Sequence, residues 1–227
     1  MSKKKINITI DDAGSGNFVG GMLISGWAEP IKKYKGVTIT TKKYNEYHNN
    51  YQEIVLDCVK EIVDYFSEYE IEYIFLCQSN LFDKTTDYFV DKGYVIARGK
   101  VEGELQDLIE DEFVYYLEEL GLPKYIEFFS RVIARDKNAG YKMLNSFCIN
   151  YIKADKDNRL KLCKKFNKLY NDIERSVVTK NIIKNNFKGK KKLCCNCGKY
   201  IKDDKLIKFT TAGRYNVFYA HISCVDN

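Results

Sequence analysis

Apolar and polar residues alternate at the start of the chain: Ile6, Ile8 and Ile10 are separated by Asn7 and Thr9. A period of two predicts a β-strand with one buried face. Asp11 and Asp12 follow, then Ala13-Gly14-Ser15-Gly16 and a second apolar segment from Phe18 to Ile24. Strand, small-residue turn and strand read as an antiparallel hairpin. Gly36 to Thr40 predicts a third strand, after a bend marked by Trp27 and Pro30. Over 51–68 the period becomes helical. Ile54, Val55, Cys58, Val59, Ile62, Val63 and Phe66 form one stripe, with Glu53, Lys60, Glu61, Asp64 and Glu68 elsewhere. A buried strand over 72–77, a short helix over 83–90 and a fifth strand over 93–98 come next. A helix over 102–120 points Leu105, Leu108, Ile109, Phe113, Tyr116, Leu117 and Leu120 inward and stops at Gly121 and Pro123. The pattern from 125 to about 176 is helical, with a break near Asn138-Ala139-Gly140. Residues 179–192 read as a linker. Two apolar runs, 206–210 and 216–220, flank Thr211-Ala212-Gly213-Arg214 as a last hairpin.

At 227 residues, 45% of them apolar, the chain has room for one medium domain and a small module. The element order predicts an α/β fold. No run approaches the roughly 20 apolar residues that span a bilayer, and Lys3-Lys4-Lys5 leads into alternation rather than a signal-peptide core. The expected location is therefore cytoplasmic, without a membrane partner. Eight cysteines there should be reduced or metal-bound. Cys58, Cys77, Cys148 and Cys163 sit in apolar surroundings as expected core residues.

The other four crowd the C-terminus in Cys194-Cys195-Asn196-Cys197-Gly198, followed by His221-Ile222-Ser223-Cys224. Cys194 with Cys197, and His221 with Cys224, are pairs with two intervening residues. Two such pairs complete a tetrahedron around structural Zn2+. The alternative is a set of unmetallated thiols, which leaves this short segment with very little core. Cys195 is a spare thiol. The arrangement resembles treble-clef and zinc-ribbon modules, with His221 and Cys224 standing where such modules carry their second ligand pair and Tyr219 where a tyrosine precedes it. Lys188, Lys190, Lys191, Lys192 and Arg214 lie around the module with Phe187, Tyr200 and Tyr215 interleaved. Lysines neutralise phosphates and aromatics stack on bases, so this composition suits nucleic acid. The alternative is a solvated linker beside a basic surface. The net charge of +6 permits a nucleic-acid partner without requiring one.

Aspartate is poor in strand interiors, so Asp11 and Asp12 need a reason. One reason is turn chemistry, since Asp bonds neighbouring backbone N–H groups. The other is cation binding at a strand end. The run Asp12-Ala13-Gly14-Ser15, then Gly20-Gly21-Met22-Leu23-Ile24, resembles the first-strand motif of the ribonuclease H-like superfamily, as does the element order across about 120 residues. That superfamily includes Holliday-junction resolvases. The resemblance implies a mixed sheet, with an antiparallel leading hairpin plus parallel strands and flanking helices. It also implies Mg2+ or Mn2+ held by Asp12 together with other acids. The fourth strand departs from the pattern, ending in Cys77-Gln78 where an acid is expected. Asp11, Glu104 (with Glu102 and Asp107 near it) and Asp136 are the candidates to complete the site. Glu104 is also explained by the dipole of the helix it starts, and Asp136 by a turn. His48 reads as a surface residue.

The expected organisation is an α/β domain over 1–178, a basic linker over 179–192 and a zinc module over 193–227. The expected function is a metal-dependent nuclease or related phosphodiester-processing protein. A catalytically inactive protein of the same fold, binding nucleic acid or a protein partner, is the alternative. An enzyme on another α/β fold is the third.

Overall fold

The structure, a computed structural model, describes residues 3–47, 50–127, 129, 133, 135–176, 178–187, 189, 191–211 and 217–225. The chain divides into two compact units, Met1–Gly16 with Gly21–Phe113, and Asn17–Gly20 with Val114–Asn227.

The first unit holds β1 (Lys5–Ala13), β2 (Met22–Glu29), β3 (Lys33–Ile39), α1 (Thr41–Glu46), α2 (Tyr51–Tyr65), β4 (Glu70–Cys77), α3 (Asp83–Asp91) and β5 (Ile96–Gly99). The sheet order is β3-β2-β1-β4-β5. β1 pairs antiparallel with β2, and β2 with β3, while β4 lies parallel to β1 and β5 parallel to β4. This is the expected mixed sheet, an antiparallel leading hairpin with parallel strands added beside it. The alternation at the start of the chain explains its centre. Ile6, Ile8 and Ile10 are fully buried in one cluster with the α2 stripe of Ile54, Val55, Val59 and Ile62. Their contacts place β1 in the middle of the unit, so its C-terminal end is where the two aspartates emerge.

Several boundaries differ from the sequence pattern. The second strand starts at Met22, not Phe18, because Gly20 has φ +78°, which extended backbone does not take. Gly21 also lies so close to the Ile39 carbonyl that a Cβ would collide with it. α2 ends at Tyr65, and β4 is buried at Ile74 and Leu76 rather than throughout. Short α1 was not legible; Thr40 caps it by accepting from the Lys43 N–H.

Gly14 sits at φ +79° in the turn after β1, and a Cβ there would run into the Phe113 ring. A left-handed backbone and a closed space act together. Gly14→Ala is expected to cost about 2–5 kcal/mol of stability, read as a lowered midpoint of urea unfolding. An unchanged midpoint would show that the turn relaxes freely.

α4 (Glu104–Glu119) starts in the first unit and its last turns belong to the second. The second unit continues with α5 (Lys137–Ala154), α6 (Lys156–Arg159) and α7 (Asn167–Glu174), then β6 (Val178–Lys184), β7 (Lys205–Thr211) and β8 (Val217–Ala220). Residues 17–20 are bound into this unit. Gly20 N–H donates to Leu162 O at 2.9 Å, and Lys164 N–H donates to Phe18 O at 3.0 Å. The Phe18 ring packs 5.6 Å from Phe166. The helical break falls just before α5, where Asp136 caps the helix and Gly140 lies against the backbone of Ile133.

The expected linker over 179–192 is corrected at its start. Residues 178–184 form β6, antiparallel to β7 with Ile182 opposite Ile207. β6 is the outer strand of the sheet β6-β7-β8. Only Val178 and Ile183 of it pack on the small core of Leu206, Ile207 and Phe209. An edge strand solvated along most of its length carries lysines and asparagine, and so reads as a linker.

Candidate catalytic and metal sites

In the register of β1 with β4, Ile10 faces Leu76. Asp11 and Cys77 come next on their strands and are therefore neighbours. Ligand-capable atoms of Asp11, Asp12 and Cys77 all lie within 4.8 Å of one another. Side chains of consecutive strand residues leave on opposite faces, but the Asp11 carboxylate turns back and accepts from the Asp12 N–H at 2.9 Å. Asp11 is only 6% exposed. The Cys77 thiol is pushed up to about 12, first by burial and then by the negative charge of Asp11, with which it also hydrogen-bonds. At neutral pH Cys77 is thus a protonated donor to Asp11, not a third anion.

The loop after Cys77 is held from β5. Arg98 Nη2 donates to the carbonyls of Cys77 and Ser79, and Nη1 pairs with Asp83 at 2.6 Å. From the other side, Gln52 Nε2 donates to Asn80 O at 2.6 Å. This ties the first turn of α2 to the same loop. Glu53, next in that turn, pairs with Lys84, and a cavity of about 220 Å³ opens between them and Asn50. The sequence reading placed Glu53 only on the polar side of its helix. Nothing local in the sequence marks it, because the tie between this turn and the loop after Cys77 joins residues 28 apart along the chain.

The remaining predicted acids have partners of their own. Glu104 is exposed in the first turn of α4 and pairs with Lys32 at 3.8 Å. Glu102 pairs with Lys100. Asp136, in the second unit, accepts from the Ala139 N–H at 3.1 Å as the cap of α5. Among the described residues, the group at the end of β1 consists of Asp11, Asp12 and Cys77.

The C-terminal cluster is assembled by a tight knuckle and a strand end. Cys194 N–H donates to Lys199 O, and Gly198 N–H donates to Cys194 O, both at 2.9 Å, with Gly198 at φ +69°. His221 follows the last residue of β8 and caps the short 3-10 turn that carries Cys224. Ligand atoms of Cys194, Cys197, His221 and Cys224 all lie within 4.8 Å of one another. Cys197 Sγ is 3.3 Å and Cys224 Sγ 3.7 Å from His221 Nδ1. Burial raises the Cys194 thiol, but backbone N–H groups of Cys197, His221 and Asn196 outweigh it and hold the thiol low. Cys224 is pushed up to about 12, by burial and then by the charge of Cys194. Three thiols and an imidazole crowded together fit one tetrahedral divalent ion. The carboxylate pair differs: two oxygen donors fit a hard cation, and the neutral Cys77 thiol does not. Cys195 stands outside the four, its thiol raised to about 12 by burial, while its N–H donates to Tyr219 O at 2.8 Å.

Of the predicted basic contacts, Lys191 is exposed, with Nζ 5.4 Å from the Tyr200 ring. Lys192 Nζ is 4.7 Å from the Phe187 ring and 4.9 Å from the Tyr219 ring. Lys188, Lys190, Arg214 and His48 lie outside the described residues. Among the described residues, no helix is long and apolar enough to cross a membrane.

No protein-family model matches this chain, and no curated protein does. Solved structures similar to it include Bst-RNase HIII in complex with Mn2+, at 13% identity and TM-score 0.45, covering 76% of this chain and 70% of that one. A point mutant of Bst-RNase HIII is similar at 14% identity and TM-score 0.43, covering 76% of this chain and 69% of that one. The strand order β3-β2-β1-β4-β5, with its three antiparallel leading strands, defines the fold independently of both.

Proposed function

We propose that this chain is a divalent-metal-dependent nuclease, a phosphodiester-processing protein acting on nucleic acid. The observation that carries the reading is the pair of carboxylates, Asp11 and Asp12, gathered at the end of the central strand beside a glycine turn. Asp12 and Asp11 would hold Mg2+ or Mn2+, which polarises a phosphate and lowers the pKa of bound water. Glu53 stands in the first turn of α2, which Gln52 ties to the loop after Cys77, and it is paired with Lys84. Arg98 fixes the loop that carries Cys77, and so fixes the thiol against Asp11. Glu104 and Asp136 serve their helices. The module over 193–227, closed by structural Zn2+ on Cys194, Cys197, His221 and Cys224, is scaffolding and the grip on nucleic acid. Lys188, Lys190, Lys191, Lys192 and Arg214 are its phosphate contacts.

The test is cleavage of labelled single-stranded, duplex, hybrid and branched substrates by the full chain with Mn2+. Cys77→Asp is the informative variant. It adds a charge where a thiol stands, and a unit charge about 4 Å away is worth roughly 4 kcal/mol at an effective dielectric near 20, before desolvation. Mg2+ affinity is expected to rise about tenfold or more, read by calorimetric titration, and Mg2+-supported cleavage should rise with it. Cys77 itself favours a second reading, a non-catalytic protein of this fold that binds nucleic acid or a protein partner. Salt-dependent binding, with no cleavage by either the native chain or Cys77→Asp, would establish that reading instead.

A further inference from the structure

The second unit contains a recess that the proposed chemistry does not use. It has a volume of about 180 Å³ and is lined by Phe147, Asn150 and Tyr151 of α5, by Cys195, and by Phe218 and Tyr219 of β8. Leu193 and Val217 form its rim and are 44% and 40% exposed, although both are apolar. Exposed apolar rims around a concave aromatic surface mark binding sites rather than chance.

The walls are set firmly. Tyr151 is buried, its hydroxyl donating to Gly121 O at 3.0 Å, and the Arg159 guanidinium lies 3.7 Å from its ring centroid. Phe147 lies 6.1 Å from Tyr151 at an interplanar angle of 32°. Asn150 brings an amide with donors and an acceptor to this surface. On the Tyr219 side, Lys192 holds its ammonium 4.9 Å from the ring, and exposed Lys191 precedes it. The volume is well below the roughly 300–1,000 Å³ of drug-sized sites. It suits one planar ring and not a whole dinucleotide.

We infer that this recess receives a single unstacked base of single-stranded nucleic acid. The aromatic walls take the π-face, Asn150 meets a base edge, and Lys191 and Lys192 take the flanking phosphates. The occupant follows from charge as well as shape. An aromatic cleft flanked by cations fits a polyanion that carries rings, which a buried apolar peptide side chain is not. The inference rests on the nucleic-acid reading above and adds where on the protein a base is held.

The experiment uses the full chain and a fluorescein-labelled 12-nucleotide single strand. It compares an intact oligonucleotide, one with 2-aminopurine at each position in turn, and one with an abasic site at each position in turn. Binding at one register is expected to quench 2-aminopurine. An abasic site at that register should weaken binding about 5- to 150-fold, the range for loss of one stacked base. Phe147→Leu and Phe218→Leu, on different elements, should each abolish the quenching and leave the salt dependence of binding unchanged. Lys192→Ala should lower the salt slope by about one ion. If abasic strands bind as tightly as intact ones and neither leucine variant matters, the recess holds no base, although salt-dependent binding would leave the nucleic-acid reading standing. If no oligonucleotide binds at all, both fall. The abasic comparison leaves the protein untouched, so a misfolded variant cannot mimic the result.

Discussion

Cys197→Ser, or exhaustive chelation, is expected to dismantle the β6-β7-β8 sheet. Among the described residues, the buried apolar ones in the core with that sheet are few: Ala154, Cys194, Ile201, Leu206, Ile207, Phe209 and Ala220. Two of the chain segments around them, 191–204 and 221–225, have no long strand or helix of their own. A core of this size does not offset the conformational entropy of ordering the segment. The ion does, since structural zinc in small modules contributes on the order of 10–16 kcal/mol at neutral pH. Without it, three thiols and an imidazole are left pressed together. Metal analysis should find about one zinc per chain. Amide exchange protection at Leu206, Ile207 and Phe209 should be lost in the variant and retained at Ile8 and Ile10 in β1. Cys195→Ser should keep the zinc, because Cys195 lies outside the group of four. Since binding requires thiolates, zinc affinity should fall as the pH is lowered. A zinc-free chain with a fully protected β7 would overturn the assignment.

Asp12→Asn is expected to lower Mn2+-dependent cleavage about 10³-fold, the several kcal/mol that a properly held ion contributes. The substitution keeps size and removes one of two negative charges at the end of β1. Asp11→Asn should cost a similar factor and also deprive Cys77 of its charged partner, lowering the thiol somewhat from about 12 while burial, the larger cause, still holds it up. Thiol alkylation of Cys77 as a function of pH reads that shift independently of turnover. Thermal melting in EDTA should be little changed by Asp12→Asn. Equal cleavage by Asp12→Asn and the native chain would remove the carboxylate pair from the chemistry.

The parts of the structure legible in the sequence are those with a short period. Ile6, Ile8 and Ile10 gave the central strand, the stripe from Ile54 to Phe66 gave α2, and two evenly spaced pairs gave the Cys194, Cys197, His221, Cys224 cluster. The aspartates at the end of β1 were legible because Asp is out of place in a strand. What stayed hidden depends on partners far along the chain. Phe18 to Gly20 looks like a strand and is backbone-paired to residues 162–164 instead. β6 carries so little apolar surface that only its pairing with β7 reveals it. Arg98 reads as a polar end to β5, and nothing local announces that it grips the carbonyls of Cys77 and Ser79. Cys77 was visible as a missing acid, but its donation to Asp11 needed the parallel register of β4 on β1.

The excursion of residues 17–20 into the second unit has a topological outcome. The polypeptide passes from one unit to the other between Gly16 and Asn17, between Gly20 and Gly21, and between Phe113 and Val114. No single proteolytic nick can therefore release either unit intact. A fragment ending at Phe113 would keep the aspartates yet strand the Gly20 N–H and the Phe18 carbonyl without their partners, six to eight residues downstream of Asp12. Dissection of this protein should replace that tetrapeptide with a designed turn rather than simply truncate the chain.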